Sequence, residues 1–282
     1  SFKRQDRFQC PVHKIFISPS TFEYEEEKDN LLWDFDLFEE HKKDKRESRV
    51  ARDNSEDAVT WNVFRFLENN HLLVPFLSDI VGVNLGSAET VFWSYNRKEL
   101  NSWSPLNEAR QTFGETIKRG SEPDLIIITD SILFFVEAKL TAGNETVPSN
   151  PSDPKKYTTG AEKLFSRIFV PGSDFATIAV REKKYELMRF WLHGSWMAKQ
   201  RDVNFVLINL VCEDRDTDIE QTFGKYLLPD TGNRFMRSCW EDIYRFIAAS
   251  QSRSAEEEKI MNYFQNKTIG YRDGELQKAF HI

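Results

Sequence analysis

The sequence predicts an α/β domain, and three features of it support this prediction. Residues 55–69 have the apolar spacing of an amphipathic helix. Residues 125–129 and 132–136 are apolar runs of strand length, and residues 203–211 are apolar almost throughout, as in a fully buried strand. Helix and strand patterns alternate along the chain, so we expect one α/β domain with additional helices at both ends.

Composition is typical of a globular protein. The 282 residues are 40% hydrophobic, 29% charged and 13% aromatic, which excludes a disordered chain. No run approaches the roughly 20 apolar residues of a membrane helix, and the first ten residues lack the apolar core of a secretory signal. The three cysteines are too scattered for a disulfide framework. We therefore expect a cytoplasmic protein without a membrane partner.

The net charge of −7 argues against a protein that binds nucleic acid by charge alone. Charge is uneven, however, since residues 42–52 are rich in Lys and Arg. A solvated face is the favoured interpretation of this basic stretch, and phosphate contact is the alternative.

The elements follow in order from local patterns. Residues 1–50 mix a short strand at 14–18 with charged segments and are predicted to be a variable N-terminal extension. Helix 55–69 begins with Asn54 or Ser55 as its N-cap, and its apolar residues recur at helical spacing. We expect residues 51–282 to form a single domain with insertions at about 96–120 and 141–180.

Beyond residue 70 the patterns predict further strands and helices. Gly194 is a weak point of the helix at 181–200. Ser238 with Glu241, and Ser254 with Glu257, fit capping boxes at two C-terminal helix starts. The predicted elements are a strand at 88–95, a short helix at about 106–118, strands at 124–129 and 132–140, a helix at 181–200 and a strand at 203–211.

Charged residues at the end of the central hairpin have a defined geometry. Asp130-Ser131 is the turn-like pair between the two apolar runs, so we expect a two-residue hairpin turn there. This register places Asp124 opposite Glu137, with Cβ atoms roughly 5 Å apart. Lys139 lies two residues beyond Glu137 and shares its face of the sheet.

Two carboxylates facing each other in an apolar sheet cost free energy unless something compensates. A divalent cation does so, because carboxylate oxygens are its preferred ligands, and Lys139 could then hold a water or neutralise a phosphoryl oxygen. The alternative is an ion-pair cluster in which Lys139 neutralises Asp124 and Glu122. Geometry alone leaves both interpretations open.

The spacing of Pro123-Asp124, twelve intervening residues, and Glu137-Ala138-Lys139 resembles the PD-(D/E)XK nuclease superfamily. The order of elements also resembles the core of that superfamily, which is a helix, three strands, a helix and a strand. The resemblance covers about 150 residues. It implies a restriction-endonuclease-like fold, with a mixed sheet flanked by helices.

The resemblance also implies residue roles. Asp124 and Glu137 resemble the ligands of Mg²⁺ or Mn²⁺ in that superfamily, with the main-chain carbonyl of Ala138 as a further metal ligand. Lys139 resembles the residue that positions or activates the attacking water and stabilises the transition state.

Three other residues are candidates. Many members of the superfamily carry a glutamate on the first core helix, which makes Glu56 a candidate catalytic residue; the alternative is an acid that the helix dipole favours. Lys118 and Arg119 precede the motif and could contact a phosphate, although a solvated turn is the slightly favoured interpretation.

The resulting expectation is a metal-dependent endonuclease that hydrolyses DNA by attack of a metal-bound water. Its partner would be nucleic acid, DNA rather than RNA, and a homodimer is compatible with cutting both strands. The alternative function is an inactive nucleic-acid-binding or interaction module on the same fold.

Overall fold

A computed structural model describes residues 8–45, 49–117, 120–150, 154–229, 232–250 and 254–282. The chain divides into a first unit, Ser1–Val83 with Cys239–Ile282, and a second unit, Asn84–Ser238. The expected division into an extension, 1–50, and one domain, 51–282, stays a prediction. No helix in the described ranges is long and apolar enough to cross a membrane.

Helices and strands alternate along the described chain, with short 3₁₀ and π turns between some of them. The helices are α1 (Phe35–His41), α2 (Glu56–Asn69), α3 (Leu73–Val81), α4 (Ser104–Thr112), α5 (Lys155–Thr158), α6 (Gly160–Lys163), α7 (Phe165–Ile168), α8 (Tyr185–Arg201), α9 (Ile219–Thr222), α10 (Trp240–Ala248) and α11 (Ala255–Asn266). The strands are β1 (Ile15–Ile17), β2 (Phe22–Tyr24), β3 (Ala88–Phe92), β4 (Tyr95–Asn96), β5 (Asn101–Ser102), β6 (Leu125–Thr129), β7 (Ile132–Ala138), β8 (Asn204–Val211), β9 (Asn233–Cys239), β10 (Thr268–Arg272) and β11 (Glu275–Lys278).

The first unit contains two small antiparallel hairpins, β1–β2 and β10–β11. In α2, Ser55 is the N-cap and its Oγ accepts a hydrogen bond from Ala58 N at 3.2 Å. The apolar stripe Val59, Val63 and Phe66 is buried, as expected for an amphipathic helix.

The second unit is built on a sheet of seven strands in the order β5-β4-β3-β6-β7-β8-β9. The pairs from β5 to β7 are antiparallel, whereas β7 and β8 are parallel, so the sheet is mixed. Helix α8, which connects β7 to β8 in the chain, packs against both strands. The predicted α/β class is therefore confirmed, with a mixed sheet flanked by helices.

The central hairpin has the predicted turn and register. β6 ends at Thr129 and β7 begins at Ile132, so the two-residue turn is Asp130-Ser131. Leu125 pairs with Val136 along the ladder, which is the predicted register. The Thr129 hydroxyl closes the turn, because it donates to Ile132 O at 2.8 Å and accepts from Ile132 N at 2.9 Å.

One face of the sheet and helix α8 share a core. Gly194, the predicted weak point, does not interrupt α8. A Cβ at this position would overlap the ring of Phe205 on β8. The glycine therefore allows close approach of helix and sheet. The sheet residues of this core are Val91, Ile126, Leu133, Phe135, Phe205 and Leu207.

Several predicted boundaries were wrong for local reasons. The strand predicted at 88–95 stops at Phe92, because Trp93 and Ser94 adopt positive φ before β4 begins. The helix predicted at 106–118 is α4, which ends before Gly114 at φ +68°. Helix α8 starts four residues later than predicted, since Lys183 has a positive φ.

The two predicted capping boxes had different outcomes. Ser254 and Glu257 form the predicted box at α11. At α10 the box lies one residue later than predicted, because the chain stays extended through Cys239, which caps the helix with Asp242.

Candidate active site

Asp124 and Glu137 lie at the same end of the hairpin, on neighbouring strands. Asp124 immediately precedes β6, and its main-chain oxygen accepts a hydrogen bond from Trp93 N at 3.2 Å. Its carboxylate Oδ2 accepts a hydrogen bond from Ala138 N at 2.9 Å, beside Glu137. The sheet ladder and this side-chain bond together hold one acid of the motif against the backbone of the other.

Glu137 is a buried carboxylate, with 2% of the residue exposed. Burial raises the pKa of the Glu137 carboxyl well above its ordinary value, the ammonium of Lys139 opposes this, and the nearby carboxylates of Asp124 and Glu186 add to it. The carboxylate forms an ion pair with Lys139 Nζ. An uncompensated negative charge is therefore disfavoured at this position.

A third acid, Glu186, lies near this pair. Its Oε2 is 3.8 Å from Lys139 Nζ. Glu186 lies in the first turn of α8, where its main-chain N–H donates to Thr146 Oγ1 at 2.8 Å. Glu186 lies in the helix predicted at 181–200 but was not among the predicted site residues. Its position could have indicated a role, because Glu186 is an acid in the first turn of a helix that packs against β7.

The segment before Asp124 is fixed by a buried carboxylate, that of Glu115. Glu115 accepts hydrogen bonds from Ser121 N at 2.5 Å and Ser121 Oγ at 3.1 Å. It also accepts from Tyr157 OH at 2.7 Å and from Arg189 Nε, on α8, at 2.9 Å. Helix α8 therefore contacts both halves of the motif, β7 through Glu186 and the approach to Asp124 through Arg189 and Glu115.

A second polar network lies next to Glu137 in the sheet. Asn209 on β8 is its register partner, so both side chains project from the same face. Asn209 Oδ1 accepts from Asn144 Nδ2 at 2.6 Å, and Asn209 Nδ2 donates to Asp216 Oδ2 at 3.1 Å. Asp216 Oδ2 also accepts from Asn144 N at 2.9 Å. The loops that follow β7 and β8 are thereby joined beside the candidate site.

The remaining candidate residues have different positions. Ala138 is buried, and its carbonyl as a metal ligand stays a prediction. Glu56 is the first residue of α2, in the first unit, and its role in the site stays a prediction. Lys118 and Arg119 lie outside the described residues.

The donor set fits a hard cation that keeps much of its water. Among the residues that the structure describes, no three Asp, Glu, His or Cys side chains gather closely enough to form a protein cage for a metal. Mg²⁺ is commonly bound by one or two carboxylates, with waters and substrate phosphates completing its octahedron. Asp124 and Glu137, on adjacent strands, fit that mode of binding.

Comparisons with protein-family models, with curated proteins and with solved structures found no match for the chain.

Proposed function

We propose that the chain is a Mg²⁺- or Mn²⁺-dependent nuclease of the PD-(D/E)XK superfamily, with a restriction-endonuclease-like core. The observation that carries this proposal is the hydrogen bond from Ala138 N to Asp124 Oδ2. It joins Asp124, the aspartate of the Pro123-Asp124 pair, to the backbone between Glu137 and Lys139. Two carboxylates and an ammonium thereby meet at one end of two strands, in a sheet whose interior is apolar.

Asp124 and Glu137 are the residues that would hold the cation. When bound, such a cation lowers the pKa of water and neutralises charge on phosphoryl oxygens. The burial of Glu137 makes an uncompensated negative charge costly, which favours occupation of the site by a positive one.

Lys139 supplies the second positive charge of the site. Its side chain is largely buried, with 16% exposed, so its ammonium acts in surroundings where charge is poorly screened by water. A phosphodiester that enters the site would therefore meet an ammonium able to donate hydrogen bonds to a phosphoryl oxygen as charge develops there. We infer hydrolysis of DNA, by endonucleolytic cleavage, as the reaction class.

A nuclease assay with matched variants tests the proposal. Supercoiled plasmid, linear duplex, single-stranded DNA and RNA are incubated with Mg²⁺, Mn²⁺ or EDTA and with wild type, Glu137→Gln or Asp124→Asn. Glu89→Gln is the control, since Glu89 forms an exposed ion pair with Lys98 elsewhere in the same sheet. We expect metal-dependent cleavage that both site variants lose and the control keeps.

The substrate ranking also tests the choice of DNA over RNA, and cleavage of closed plasmid distinguishes an endonuclease. If wild type and variants are equally inert, calorimetric titration with Mg²⁺ decides between the nuclease proposal and an inactive binding module. A wild type without a divalent-cation site that depends on Glu137 would overturn the nuclease proposal. An inactive binding module would then be favoured.

A further inference from the structure

Lys139 Nζ has carboxylates of two different elements within ion-pair distance. Glu137, near the end of β7 and two residues before Lys139, pairs with it directly, and Glu186 Oε2, on α8, is 3.8 Å away. The two acids differ in burial, because 3% of the Glu137 side chain is exposed and 29% of the Glu186 side chain. The same ammonium therefore has a second anionic partner within a short displacement.

Cation binding would change which of the two carboxylates, Glu137 or Glu186, forms the stronger ion pair with Lys139. Glu137 is the more deeply buried of the two candidate carboxylate ligands, and a divalent cation on it would repel the ammonium of Lys139 at short range. An ammonium that moved into solvent would leave the site, while one that moved toward Glu186 would stay. Glu186 Oε2 is 3.8 Å from Nζ, so the second path requires only a short displacement of the ammonium.

Glu186 is held in place independently of Lys139. Its main-chain N–H is bonded to Thr146 Oγ1, and one turn later Arg189 binds Glu115. An acid in the first turn is also favoured by the dipole of a helix of 17 residues. The backbone of Glu186 is thus fixed at the start of α8, with its carboxylate within ion-pair distance of Lys139 Nζ.

We propose that Glu186 is a positioning residue that takes over the ammonium of Lys139 when a divalent cation binds Glu137. This inference rests on the proposed metal-dependent function. Glu186 contributes to metal affinity through Lys139, because the ion pair that forms with Glu186 offsets the ion pair that is lost at Glu137. It also keeps Lys139 beside the substrate phosphate.

A double-mutant cycle on metal affinity tests the coupling. Mg²⁺ affinity is measured by calorimetry for wild type, Glu186→Gln, Lys139→Met and the double variant, without nucleic acid. We expect Glu186→Gln to weaken affinity by about tenfold, as outer-shell substitutions at metal sites do. In the Lys139→Met background, the same substitution should leave affinity unchanged, because the ammonium it positions is gone.

Glu145→Gln is the matched control, since it removes one acid from an exposed ion pair with Lys183 and should not change affinity. Glu186→Asp, which retains the charge on a shorter side chain, should give an intermediate affinity. Thermal unfolding in EDTA verifies that each variant is folded. If Glu186→Gln does not fold, Glu186→Asp takes its place in the double-mutant cycle.

The outcomes separate the two proposals. Equal losses of affinity in both backgrounds would show that Glu186 acts on the cation without Lys139, and would overturn the inference. A Glu186→Gln protein with wild-type affinity would also overturn it, while leaving the nuclease proposal intact. If wild type itself binds no divalent cation, the nuclease proposal fails first and the inference fails with it.

Discussion

Glu137 on β7 and Asn209 on β8 are register partners, and both are buried on the face of the sheet that packs against α8. Glu137 is an ionisable residue of the candidate site. Asn209 carries no charge, and its amide joins the loops after the two strands through Asn144 and Asp216. Asn209 therefore gives the buried Glu137 a polar neighbour in the sheet without adding a charge. Its hydrogen bond with Asn144 also fixes the loop that follows Lys139.

Replacing Asn209 should loosen that loop. Asn209→Ala leaves the buried Asn144 amide without its acceptor, and an unsatisfied buried donor costs about 1–3 kcal/mol. We expect a loss of about 2–3 kcal/mol in the free energy of unfolding, together with faster hydrogen exchange at residues 143–146. Asn204→Ala, at the exposed start of the same strand, is the control and should cost much less. Equal effects of both substitutions would contradict the anchoring role.

Gly194 should be required for the packing of α8 on β8. A methyl group in Gly194→Ala would overlap the Phe205 ring, so helix and strand must separate. Overpacking of this kind costs about 1–3 kcal/mol, more than the helix propensity that alanine gains. We expect a net loss of about 2 kcal/mol in urea unfolding.

The Phe205 ring should be the origin of that loss. Adding Phe205→Leu to Gly194→Ala should therefore be less than additive, since the smaller side chain relieves the overlap. Gly224→Ala is the control, because a Cβ there meets no atom within 4 Å. Additive losses in the double variant would place the strain elsewhere.

Divalent cations should stabilise the wild type through Glu137. A ligand at one hundred times its Kd adds about 2.7 kcal/mol to the free energy of unfolding, because it binds the folded state alone. We expect Mg²⁺ to raise the Tm of wild type and EDTA to reverse the rise, while Glu137→Gln responds to neither. A Glu137→Gln protein with the wild-type response would place the cation at other ligands.

The central hairpin shows what could be predicted from the sequence. A turn-like pair between two apolar runs determines which residues face each other, since the side-chain period of a strand is two. Asp124 and Glu137 could thus be assigned to neighbouring strands from the turn at Asp130-Ser131 alone, and the paired strands have that register.

The supporting contacts could not be predicted in the same way. Glu115 and Arg189 are 74 residues apart, and Asn144 and Asp216 are 72 apart. No local pattern relates such residues, because their meeting depends on how α8 and the loops pack on the sheet. Strand and helix ends were also missed where a non-glycine residue, such as Trp93 or Lys183, adopts a positive φ that propensity does not indicate.

His193 should make the stability of the second unit depend on pH. The ring is fully buried on α8, it packs edge-on against Phe113, and neither ring nitrogen has a hydrogen-bond partner among the residues that the structure describes. Burial lowers the pKa of the imidazole from 6.5 to about 4, opposed by the nearby Glu115 carboxylate. Folding therefore favours the neutral ring.

The direction of the effect follows from proton uptake. Between pH 6.5 and 4 the unfolded chain binds a proton at this histidine that the folded chain does not, so stability is lost as the pH falls through this window. The loss attributable to His193 is about 3 kcal/mol, from 1.36 kcal/mol per unit of pKa. His193→Leu should remove this part of the pH dependence while preserving stability at pH 7, because the ring forms no hydrogen bond within the described part of the chain. The exposed His281 provides the control variant, His281→Leu, whose urea-unfolding free energies should follow the wild-type curve from pH 7 to pH 4. A His193→Leu protein that loses stability with acid as steeply as wild type would show that other groups, among them the carboxylates of the site, govern acid unfolding.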